Sequence, residues 1–186
     1  MMNLMNFFAG FGEAIIEADQ INISNYPFEP ASIYPNSTIG VASVGSISLS
    51  WKLRIKLKNE LIFVDRKHEN SLAVFASANN ISIDDSVSPW SLLLEPFLDT
   101  EYTAEIEERT DMMLGSFGLS KKEVADIRNE VSEQMYKYNF DTMLWEWCYL
   151  GLHDVLCAMR MKYNKEQFRK FYRNAMDIEL RPRIIK

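Results

Sequence analysis

Cysteine, histidine, glycine and proline are all scarce: the 186 residues include two Cys, two His, seven Gly and six Pro. Two cysteines cannot build the disulfide framework of a small secreted domain. So few Gly and Pro exclude collagen-like and low-complexity chains. Cys148 and Cys157 stand nine residues apart in what reads as one helix, about 13 Å along its axis and on opposite faces, too far apart to bridge. A basic excess is missing too, since 26 acidic residues against 20 basic ones leave a net charge of −6. That balance speaks against a dedicated DNA or membrane-surface binder, which needs net positive surface. No long apolar run occurs either. The stretch from Met1 to Ile16 is interrupted by Asn3, Asn6 and Glu13, is followed by Glu17, and has no Lys or Arg before it. It therefore fails both the signal-peptide and the membrane-span tests. The expectation is a cytoplasmic protein with no membrane partner.

The motifs of common chemistry are absent as well. Gly10 and Gly12 lack the third glycine of a dinucleotide loop and follow no predicted strand. No phosphate-binding loop, nucleophile elbow, zinc-type Cys/His spacing or kinase signature is present. No cofactor and no metal is expected, and without a base-stacking motif nucleic acid is not an expected partner.

What is present is the composition of a globular protein, 47% hydrophobic and 25% charged, large enough at this length for a core without staples. Leu4, Phe8, Phe11 and Ile15 recur at helical spacing, which predicts an amphipathic helix over 3–18. Residues 22–36 read as irregular chain with room for a short strand at 31–34. Ile47, Leu49, Trp51, Leu53, Ile55 and Leu57 alternate with polar residues and predict one long strand, turned by Asn59 and Glu60 into a hairpin with Leu61 to Asp65. Leu72, Phe75 and Ala76 predict a short covering helix. From residue 84 onward only helices are predicted. One is capped by Ser88 and ended by Pro96, a second runs over 101–114, and a third over 121–138 is opened by the Ser120–Glu123 capping box. A fourth runs over 140–162, and Asn164 with Gln167 caps the last. The expected fold is α+β: an N-terminal helix and a small antiparallel sheet (1–83) packed on a bundle of about four to five helices (84–186) in one compact unit.

Charge is segregated along this plan. Residues 84–111 hold nine acidic side chains against one basic, a local net of −8. Glu101, Glu105 and Glu108 share one predicted helix face, and Glu107 with Asp111 forms a second like-charge pair at i+4. Each such pair costs an isolated helix about 0.2–0.5 kcal/mol, so a compensating cation is sought. It has three sources: solvent counterions, the strand cations Lys52, Arg54, Lys56 and Lys58, or a basic partner.

The predicted helix 140–162 is apolar on both faces apart from a stripe of Glu146, His153 and Arg160, with Cys157 one turn after His153. The dipeptide of His153 and Asp154 is similar to the His-Asp pair of HD-type metal phosphohydrolases, whose pattern also needs an earlier His and a later Asp. His68 and Asp177 are the residues available for those places, but His68 stands beside a predicted strand where that family uses helices. His153 and Cys157 at i, i+4 would suit a base and a thiol nucleophile, although an apolar setting raises a thiol's pKa. Glu146 and His153 would supply two metal ligands only across about 10 Å of helix. The plain reading is a polar seam inside the bundle.

Two functions follow as expectations. The first is a non-enzymatic binding protein, inhibitor- or immunity-like, that engages a basic protein through Glu101, Glu105, Glu107, Glu108 and Asp111. The alternative is a small metal- or thiol-dependent hydrolase centred on His153, with Asp154 or Cys157. Self-association as a homo-oligomer, through Phe7, Phe8 and Phe11 or through Trp147, is a third reading.

Overall fold

The computed structural model describes residues 7–98, 102–142 and 149–184, with the side chains of 140–142 excepted. Among the described residues the chain is α+β, with six α-helices and two small sheets, and it divides into two compact units.

The first unit spans 9–86. Its first sheet is antiparallel, with β1 (Glu13–Ile16), β2 (Gln20–Ser24) and β3 (Ser37–Gly40) in that order. Ile21, Ile23 and Ile39 point from it into the core. The helix expected over 3–18 is not found in its described part. Gly10 and Gly12 adopt φ of 77° and 74°, outside the right-handed helical region, and a Cβ on Gly12 would lie 2.7 Å from the Ser24 carbonyl oxygen. The β-branched Ile15 and Ile16 then extend and pair with Asn22 and Ile21. Residues 31–34, expected as a short strand, form a turn closed by Tyr34 N–H on the Ala31 carbonyl at 3.1 Å, directly after one closed by Ala31 N–H on the Phe28 carbonyl.

The second sheet has the order β6-β5-β4-β7, built from β4 (Ser46–Ser48), β5 (Leu53–Lys56), β6 (Leu61–Val64) and β7 (Ser82–Ile83). Here the long alternating run is two strands rather than one, folded back so that Ile47 faces Ile55 and Ser48 faces Arg54. The fold-back is held by Asp85, whose Oδ1 accepts from Leu49 N–H at 2.9 Å and Ser50 N–H at 3.0 Å. The expected turn at Asn59 and Glu60 is present, with Leu57 N–H donating to the Glu60 carbonyl. Helix α1 (Glu69–Ala78) buries Leu72, Phe75 and Ala76 as the spacing required.

The second unit comprises Phe7, Phe8 and the described residues from 87 onward. Ser88 caps α2 (Pro89–Leu94) by accepting from Ser91 N–H, and Pro96 lies in the 3-10 turn that follows. Helix α3 (Ala104–Ser116) starts at its Thr103 cap. The Ser120–Glu123 box opens α4 (Lys121–Thr142) with reciprocal bonds of 2.9 and 3.2 Å. The expected helix over 140–162 is interrupted: residues 149–151 are not helical, Gly151 is extended, and α5 (Leu152–Arg160) begins anew after it. Helix α6 (Lys165–Glu179) keeps the Asn164–Gln167 box and buries Phe168, Phe171, Ala175 and Ile178. No described helix is long and apolar enough to cross a membrane.

Candidate functional site

The acidic segment divides between the two units. Asp84 and Asp85 belong to the β-rich unit, where they serve the basic strand. Asp85 also accepts from Ser48 Oγ at 2.8 Å, and Arg54 Nη2 donates to that same hydroxyl at 3.2 Å. The Ser86 hydroxyl and N–H hold the Asp84 carboxyl below the usual carboxylate range against the opposing effect of burial, with Lys56 and Arg54 adding their charge. The strand cations are thus partly answered inside their own unit by the first two residues of the acidic run.

The remaining described carboxylates of the patch stand on α3. The Thr103 hydroxyl accepts from Ile106 N–H at its start. Glu105 and Glu107 lie in the first turn, where the positive end of the helix dipole favours them and offsets part of their mutual repulsion. Asp111 is spent internally, with Lys121 Nζ at 3.6 Å and Arg128 Nη1 at 4.0 Å. Arg128 also donates to the Leu92 and Leu93 carbonyls and to the Tyr102 hydroxyl, so it knits α2, α3 and α4 together. Glu105, Glu107 and Glu108 are exposed, and among the described residues none of them forms an ion pair. Glu101 lies outside the described residues. Beside this trio Met112 is 72% exposed. Glu107, Glu108, Asp111, Met112, Ala104 and Lys121 line an open groove of about 500 Å³. Sequence periodicity placed the carboxylates on the helix but gave no sign that Met112 and Lys121 complete a groove with them.

His153 and Cys157 meet as their spacing required, yet both have zero solvent exposure. The Cys157 sulfur is 3.7 Å from His153 Nδ1 and 3.9 Å from Nε2. The sulfur is nearly equidistant from both nitrogens, and the pair lies wholly inside the helical unit. The Phe8 ring closes over the imidazole at 5.8 Å. His68 lies in the β-rich unit and Asp177 is exposed on α6. Among the described residues no three His, Cys, Asp or Glu side chains come together to hold a metal. Glu146, Trp147 and Cys148 fall outside the described residues. Of the aromatic residues considered for self-association, Phe7 is buried against Tyr138, its ring edge-on at 5.9 Å.

Asp154 has a different task from the one its neighbour suggested. Its carboxylate, 4% exposed, accepts from the Tyr138 hydroxyl and from Gly151 N–H, both at 2.9 Å. It ties α4 to the start of α5 and answers one of the orphan donors of that helix. Burial, and then the Asp154 charge, push the Tyr138 hydroxyl far above its ordinary value. Because the folded pKa is raised, this stabilisation is complete below about pH 10 and is lost as the pH climbs beyond it. Tyr138→Phe is therefore expected to cost about 1–3 kcal/mol at neutral pH. It should also flatten the alkaline fall in stability by about 1.4 kcal/mol per pH unit. Denaturant melts from pH 7 to 11 check both, and an unchanged alkaline slope would refute the assignment. Tyr163, raised by burial and by its bond to Glu130, leaves a residual slope.

Comparison with protein-family models, curated proteins and solved structures finds no match.

Proposed function

We propose that the protein is a non-enzymatic binding protein whose α3 surface engages a basic segment of another protein, as an inhibitor or immunity-type protein would. One observation carries this reading: Glu105, Glu107 and Glu108 are exposed without an ion pair among the described residues, beside an exposed Met112 and a groove. Glu107 and Glu108 line the groove with Ala104 and Met112, and Glu105 stands outside it one helical turn from Glu108; carboxylates beside apolar surface suit a Lys or Arg side chain, whose charged head and aliphatic stem need both. The hydrolase alternative centred on His153, Asp154 and Cys157 is less well supported, because all three side chains are buried and Asp154 is committed to capping.

The test is a double charge reversal, Glu105→Lys with Glu108→Lys, at exposed positions that leave the α3 cap in place. Binding of a lysine-rich peptide is measured at low and moderate salt, alongside capture from native lysate. The wild type is expected to bind in a salt-sensitive way and the variant at least about tenfold more weakly, mainly through slower association. Equal binding by both proteins would overturn the proposal.

A further inference from the structure

The strongest feature left unused is the outer edge of β1. Among the described residues β1 has β2 as its neighbour on one side only. Glu17 N–H donates to the Gln20 carbonyl at 2.9 Å, and Ile15 and Glu13 face Asn22 and Ser24. Hydrogen-bonded pairs alternate along an antiparallel ladder, so the N–H and C=O groups of Ala14 and Ile16 point away from β2. Such an edge is a template for another strand unless it is blunted. Ile15 is 64% exposed on the outer face. Helix α1 is tied alongside β1 at both ends, by Lys67 Nζ to Glu13 at 3.5 Å and by Asn79 Nδ2 to the Ala18 carbonyl at 2.9 Å. Between them runs a groove of about 430 Å³ that includes Ile16, Phe75 and Ala78, with Val74 left 69% exposed beside it.

We propose that this edge receives an extended basic segment of a partner protein as an added strand, at a surface separate from α3. The chemistry of the occupant follows from the alternation of strand side chains. Those on the inner face would enter the groove against Ile16 and Val74 and must be apolar. Those on the outer face would lie beside Glu13, Ile15 and Glu17 and are favoured as Lys or Arg. Charge points the same way, since the two charged side chains flanking Ile15 are both acidic, Glu17 and Glu13, the latter shared with Lys67 at 3.5 Å. A second copy of the chain fits poorly, because antiparallel self-pairing about Ile15 sets Glu13 opposite the Glu17 of the other copy at both ends, and like charges directly opposite are destabilising.

The probe is a synthetic peptide of alternating Lys and Val, with a Glu and Val peptide as control. It is added to full-length protein carrying Glu105→Lys and Glu108→Lys, so that binding at α3 does not enter the measurement. Amide hydrogen exchange at Ala14 and Ile16 is expected to slow by at least about tenfold with the Lys peptide and to stay unchanged with the Glu peptide. Val74→Lys, at an exposed position, should weaken that protection by about tenfold while leaving the other amides of the unit as they were. Ala14→Pro, which removes an outward N–H but no bond to β2, should weaken the protection likewise, read at the Ile16 amide. The proposal is overturned by peptide binding without protection of Ala14 and Ile16, by equal protection from the Glu peptide, or by protection that rises with protein concentration alone.

Discussion

Asp154→Ala is expected to destabilise the helical unit by about 3–5 kcal/mol, because each of two buried donors left without an acceptor costs about 1–3 kcal/mol and the lost carboxylate bonds are charge-assisted. The donors are the Tyr138 hydroxyl and Gly151 N–H, both at 2.9 Å, and Tyr138 is only 2% exposed. For a chain of this size each kcal/mol lowers the melting temperature by about 2–4 °C, so the variant should melt about 6–20 °C earlier. Asp154→Asn should lie between the two, since its amide oxygen still accepts from one donor while its NH2 faces the other. A loss below about 1 kcal/mol for the alanine variant would show that Asp154 is not the acceptor for these groups.

The second large effect is expected at Glu179. This carboxylate, 8% exposed near the end of α6, accepts from Ser88 Oγ at 2.7 Å and Trp90 N–H at 3.3 Å. It thus reaches from the C-terminal turn of α6 to the N-terminus of α2, where a negative charge is favoured by the helix dipole. Trp90 is anchored a second time through its indole N–H, which donates to the Ala175 carbonyl at 2.9 Å. Glu179→Ala removes the first anchor only, and about 2–4 kcal/mol of stability should be lost, read by circular dichroism in a urea melt. Glu179→Gln keeps one oxygen acceptor and the length of the side chain, so it should recover about half of the loss. Equal stability of wild type and alanine variant would remove the α2–α6 clamp from the account.

These two carboxylates show why the net charge of −6 says little by itself. Asp85, Asp111, Asp154 and Glu179 are all engaged by other parts of the chain, as hydrogen-bond acceptors or ion-pair partners, whereas Glu105, Glu107 and Glu108 face solvent without an ion pair among the described residues. Composition counts all of them alike. Burial and partners decide which carboxylates are available to another molecule.

The elements that were legible share one property: their signal is local. The Ser88, Ser120 and Asn164 caps are written in residues three apart, and the stripe of α6 in a single 3.6-residue period, so neighbours along the chain suffice to specify them. The alternation over 47–57 was equally plain, and the α+β class followed from it. Three features depended on contacts between segments apart in the chain, and a fourth, at Gly151, on a local cap that hydrophobic period does not register. Gly12 lies against Ser24 and Tyr26, which rules out the helical geometry that the spacing of Phe8, Phe11 and Ile15 suggested. Asp85 reaches back across 35 residues to Ser50 and folds one expected strand into two. Gly151 breaks the expected helix over 140–162, because an extended residue followed by Asp154 supplies a cap that periodicity does not register. The edge of β1 became visible only once β2 was known to lie on one side of it. The sequence by itself determined the fold class, the capped starts of α2, α4 and α6 and where its acidity is concentrated, because propensity, capping and hydrophobic period act over a few residues. Tertiary structure decided which carboxylates are buried and which strand edge is unpaired, because those outcomes depend on distant segments meeting.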